Sequence, residues 1–153
     1  MLFRRHVLAG GFANLLPLGP STLMGAAASS PYAKRVLKKK PCGYWRLGEK
    51  AGVVIADASG NRRDGSLHGG VKLDQPGMLD REENGALGFD GHTGYVEVAS
   101  HADFSQPTRG KGFTVEAWMR PDVLEFTGEG EDNYVHWLGK GEAGKHEWAF
   151  RLY

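Results

Sequence analysis

Cysteine occurs once, at Cys42, so no disulfide can close within the chain and no cysteine-based zinc site can form. Long apolar runs are also missing. The most apolar early stretch, residues 6–16, is interrupted by Gly10 and Gly11 and followed by Pro17 and Pro20, too broken and short for a membrane span. No helical period longer than two turns appears after residue 41, which argues against a helical bundle. The six histidines (His6, His68, His92, His101, His136 and His146) show no close ligand spacing such as His-x-x-x-His. Serine-nucleophile motifs are absent. The glycine-lysine-glycine steps at Gly110-Lys111-Gly112 and Gly139-Lys140-Gly141 do not open a helix that could hold a phosphate.

Acidic residues are absent from the first 40 positions, which carry seven Lys/Arg. Residues 41–153 hold 12 Lys/Arg against 18 Asp/Glu, a net charge of −6. The formal charge of +1 therefore hides a basic leader and a mildly acidic body, and that body has no nucleic-acid footprint. Lys38-Lys39-Lys40 lacks aromatic partners, so it reads as a solvated lead-in strand or short helix.

What is abundant is glycine, 23 of 153 residues, with only 41% hydrophobic residues. That balance favours short strands joined by turns. Strand patterns fall at Tyr44-Trp45-Arg46-Leu47, Val53-Val54-Ile55-Ala56, Ser66-Leu67-His68, Val71-Lys72-Leu73, Ala86-Leu87-Gly88-Phe89 and Tyr95-Val96-Glu97-Val98. They continue at Phe113-Thr114-Val115-Glu116-Ala117-Trp118-Met119, Tyr134-Val135-His136-Trp137-Leu138 and Glu147-Trp148-Ala149-Phe150-Arg151-Leu152-Tyr153. Asp90-Gly91 has the composition of a tight hairpin turn. The expected fold class is all-β, an antiparallel two-sheet sandwich or barrel. Tyr153 closes a strand pattern with nothing to cap it, so the reading expects further strands and a longer chain.

Residues 1–28 read as an export signal: Arg4-Arg5, an apolar middle, then Ala26-Ala27-Ala28 before Ser29. Phe3-Arg4-Arg5-His6-Val7-Leu8 resembles a twin-arginine signal, with Phe3 where Ser or Thr is usual. Residues 29–40 form the basic lead-in, and residues 41–153 the folded part. The location expected is periplasmic, cell-surface or extracellular.

Several blocks, taken in order, resemble a known family. They are Tyr32-Ala33, Tyr44-Trp45-Arg46-Leu47-Gly48-Glu49, Asp57-Ala58-Ser59-Gly60-Asn61 with Asp64-Gly65, and Gly85-Ala86-Leu87-Gly88-Phe89-Asp90-Gly91 with Gly94-Tyr95-Val96-Glu97-Val98. Phe113-Thr114-Val115-Glu116-Ala117-Trp118-Met119-Arg120-Pro121 and Leu138-Gly139-Lys140-Gly141 complete the series. Over about 110 residues the chain is similar to the laminin-G-like (LamG) domains of the concanavalin A-like lectin/glucanase superfamily. The resemblance implies a jelly-roll sandwich of which residues 41–153 are the N-terminal portion. It also implies a structural Ca2+, for which Asp57, Ser59, Asn61 and Asp90 are candidate ligands. The alternative for Asp57 is an Asx-type turn in which the carboxylate binds its own loop amides.

Ligand-contact candidates are Tyr95, Tyr134 and Trp137, aromatics that can stack on sugar faces. No catalytic residue is assigned. Glycoside hydrolysis needs two carboxylates about 5–9 Å apart, and no Glu-x-Asp-x-x-Glu strand occurs; Glu97 and Glu116 stand alone, Glu116 being the one to test. The reading is thus an exported, non-catalytic recognition or adhesion domain for a glycan or cell-surface protein. Its alternatives are a partial or accessory domain of a secreted glycoside hydrolase, or a structural spacer.

Overall fold

A computed structural model describes residues 2–3, 30–79, 83–105, 112–123, 135–142 and 145–152. The chain is mostly β, with two antiparallel sheets and one short α-helix among these residues. The lead-in resolves as helix α1, Pro31–Leu37. Ser30 caps it, its hydroxyl accepting the Ala33 amide at 3.0 Å, and Pro31 occupies the first turn, where its missing N–H costs nothing. Ala33 is fully buried, and the Tyr32 hydroxyl accepts the Trp118 indole N–H at 2.9 Å.

The strands are β1 (Leu2–Phe3), β2 (Val54–Ile55), β3 (Gly65–His68), β4 (Val71–Gln75), β5 (Ala86–Phe89), β6 (Tyr95–Val98), β7 (Val135–Glu142) and β8 (Lys145–Leu152). A 3-10 turn, Ala102–Phe104, follows β6. The larger sheet runs β2-β3-β6-β1-β7-β8, and β4-β5 form the smaller one. Leu2 and Phe3 thus pair by their backbone between β6 and β7.

Alternation explains the core. Along β6, Val96 and Val98 are buried while Glu97 is exposed. Ile55, Val96, Val98 and Phe104 form the buried cluster, with Trp45, Leu47, Leu67 and Leu87 packed against it. Leu87 belongs to β5, so the small sheet meets the large one through this cluster.

Three expected elements differ. Tyr44-Trp45-Arg46-Leu47 makes only an isolated bridge, Trp45 with Asp57. Leu47 takes a left-handed φ of 58°, which ends any strand there, and the Asn84 amide pins the turn by donating to the Arg46 carbonyl at 2.8 Å. Residues 113–119 keep the alternation at first, Phe113 and Val115 being half-buried, yet form no ladder. Phe113 instead leans on Trp148, ring centroids 5.4 Å apart.

Asp90-Gly91 is not a hairpin turn. β5 pairs with β4 in the small sheet, whereas β6 pairs with β3 and β1 in the large one, so the loop carries the chain between sheets. Gly69-Gly70 makes the opposite crossing, from β3 to β4. The two crossings touch: the Asp90 amide donates to the Gly70 carbonyl at 3.1 Å, and the Gly70 amide to the Thr93 hydroxyl at 2.9 Å.

Candidate functional site

The loop between β2 and β3 is organised around Asp57, 9% exposed. Its Oδ1 accepts the amides of Tyr44 at 3.0 Å and Ser59 at 2.9 Å, and its Oδ2 accepts the Arg63 amide at 3.0 Å. Burial pushes the Asp57 carboxyl upward in pKa, but the Ser59 hydroxyl and the three amides outweigh it, so the net shift is downward. Ser59 Oγ also accepts the Asn61 amide at 3.2 Å and the Asn61 side-chain amide at 3.0 Å. That side-chain amide donates as well to the carbonyls of Pro41 and Cys42, each at 3.2 Å. Asp57, Ser59 and Asn61 are therefore brought together, as their spacing suggested.

Asp90 builds the same device at the sheet crossing. Its Oδ1 accepts the amides of His92, Thr93 and Gly94 at 2.8–2.9 Å, and its Oδ2 accepts the Thr93 hydroxyl at 2.6 Å. The Thr93 hydroxyl and these amides hold its carboxyl well below the ordinary range. Asp90 is exposed and belongs to a different corner from Asp57. As arranged, neither set fits a calcium ion, because the carboxylate oxygens are already directed at N–H and O–H groups. Among the described residues, no group of three or more His, Cys, Asp or Glu converges as metal ligands would.

Of the aromatic candidates, Tyr95 lies on the face of β6 opposite Val96 and Val98. Its register partner on β3 is His68, whose ring stacks on it at 4.6 Å and 11°. Glu97 and its partner Ser66 are exposed on the same face, and His68 Nε2 lies 3.5 Å from Glu97 Oε2. Trp137 is the extra residue of a bulge in β7, between the His136–Arg151 and Leu138–Phe150 pairs, and it packs on Phe150 at 5.7 Å. β1 separates the strands of Tyr95 and Trp137, a distance of about 10 Å or two strand spacings. Tyr134 lies outside the described residues. Glu116 is exposed on the unpaired segment.

Two constellations escaped sequence reading because they join distant residues. Arg63 donates to the Cys42 carbonyl at 2.6 Å, pairs with Asp103 and lies 5.1 Å from the centre of the Phe104 ring. Trp45 completes this group, its indole N–H donating to the Arg63 carbonyl at 2.8 Å. Elsewhere, Lys140 joins Ser105 to Glu147, the latter contact at 2.7 Å, while the buried Trp148 indole donates to the Phe104 carbonyl at 2.8 Å. Both groups anchor the 3-10 turn.

No family model, curated protein or solved structure matches this chain.

Proposed function

We propose that the chain is an exported, non-catalytic recognition domain of LamG-like jelly-roll type, with a glycan docking on the outward face of the large sheet around Tyr95. The observation that carries this reading is the grouping of Tyr95, His68, Glu97 and Ser66 on that face. A sugar ring has an apolar C–H face and a rim of hydroxyls. A tyrosine ring held by a stacked neighbour suits the first, and a carboxylate with a hydroxyl suits the second. The resemblance of the sequence blocks to LamG domains supports the same class of ligand.

Glycan-array binding and calorimetric titration of the full chain test the proposal. Tyr95→Ala is expected to weaken glycan binding at least tenfold while leaving the thermal midpoint within about 2 °C, as befits a half-exposed side chain. Absence of any bound glycan would favour the spacer reading. Reducing-sugar release that disappears in Glu116→Gln would replace the recognition domain with a hydrolase.

A further inference from the structure

Calcium takes six to eight oxygen ligands at about 2.3–2.6 Å, so a carboxylate serving it must turn a lone pair to the metal. A carboxylate offers about four such positions. At Asp57 they meet the Tyr44, Ser59 and Arg63 amides. At Asp90 they meet the His92, Thr93 and Gly94 amides and the Thr93 hydroxyl. We infer that these amides and the Thr93 hydroxyl stand in place of a cation, so that both corners of the sandwich close without metal.

Two further observations agree. The Gly70 backbone lies close against Asp90: a Cβ there would fall 2.1 Å from Oδ2, so the crossing closes onto the carboxylate from that side. At Asp57, admitting a cation would turn away the Tyr44 and Arg63 amides in a half-buried loop, and unpaired buried donors are costly. The loop would also lose the tie from Tyr44 to residues 57 and 58, which the Ala58 amide shares by donating to the Tyr44 carbonyl at 2.7 Å.

The test uses the full chain. Terbium, a calcium mimic, is titrated while emission sensitised by Trp45 is followed, since that indole is bonded to the Arg63 carbonyl beside the Asp57 cage. Calcium is titrated by calorimetry, and thermal unfolding is compared in calcium and in chelator. The expected result is no saturable terbium emission and a midpoint equal within about 1 °C, whereas a site filled at 100 times its Kd would raise it by several degrees. Asp57→Asn could fail to fold, so the variants are Ser59→Ala and Asp90→Asn, which should lower the midpoint equally with and without calcium. Saturable terbium or calcium binding that either variant weakens tenfold would overturn the inference. A calcium effect untouched by both would place the ion on other residues and leave the two cages as inferred.

Discussion

The Asp57 and Asp90 loops are two copies of one idea placed in different surroundings. Each carboxylate gathers three amides, Asp90 adding the Thr93 hydroxyl, and each is followed closely by Ser or Thr and by glycine. Asp57 is nearly closed to solvent and ties together residues 44, 57, 59 and 63, whereas Asp90 is exposed and binds only its own loop. The same hydrogen bonds replace much less water at the buried corner than they would compete with at the open one. Burial, not bond count, decides which corner carries stability.

The largest expected effect follows from that contrast. Asp57→Ala should cost about 3 kcal/mol, since it strands several partly buried donors. Equilibrium denaturation in urea measures it. Asp57→Asn should come within about 1 kcal/mol of that loss, because its amide nitrogen would face a donor where an oxygen stood. If Asn restored full stability, shape and not the carboxylate would explain the cage.

At the other corner, sterics should outweigh the charge. Gly69→Ala would bring a Cβ to 2.0 Å from the Thr93 carbonyl oxygen on a backbone with φ +65°, so a loss of about 2–3 kcal/mol is expected. Asp90→Ala should lower the midpoint less than Gly69→Ala does, as read by calorimetry on the two variants. The reverse order would show that the exposed cage, and not the close approach of two backbones, holds the crossing.

Arg63→Met should remove about 1–2 kcal/mol through the Asp103 pair and the Phe104 ring contact. Its backbone amide would still cap Asp57, so a double-mutant cycle with Asp57→Asn should give coupling below about 0.5 kcal/mol. A larger coupling would merge the cage and the guanidinium anchor into one unit.

The smallest effect is in acid. The Asp57 carboxyl is lowered from 3.8 on folding, so its stabilisation is complete above the unfolded value and is lost as pH falls through the lower folded one. Stability should therefore decline below about pH 4, and Asp57→Asn should flatten that decline. Asp103, lowered chiefly by its Arg63 hydrogen bond, adds to the slope in the same direction. An acid limb unchanged in Asp57→Asn would assign the slope to other carboxylates.

Much of the strand content was legible because alternation is local: Val96 and Val98 turn inward on β6 while Glu97 turns out, with no knowledge of the partner strand. Asp57, Ser59 and Asn61 were legible for the same reason, being close in sequence. What could not be read was pairing. Asp90-Gly91 has hairpin composition, yet the strands on its two sides prefer partners in different sheets, which no local signal reports. Leu47 has no compositional mark for its left-handed turn, since the Asn84 contact that holds it comes from 38 residues away. The link from Trp148 to the Phe104 carbonyl spans 44 residues.

The touching crossings have a mechanical meaning. Because the Gly70 amide is held by Thr93 and the Gly70 carbonyl by the Asp90 amide, neither strand-to-strand passage can open while the other stays shut. The pair works as a rivet through the two sheets. Sliding one sheet over the other, or peeling the small one away, must break both links in a single event. The amides of Gly70 and Asp90 should then exchange with solvent deuterium at a common rate, although they stand 20 positions apart in sequence.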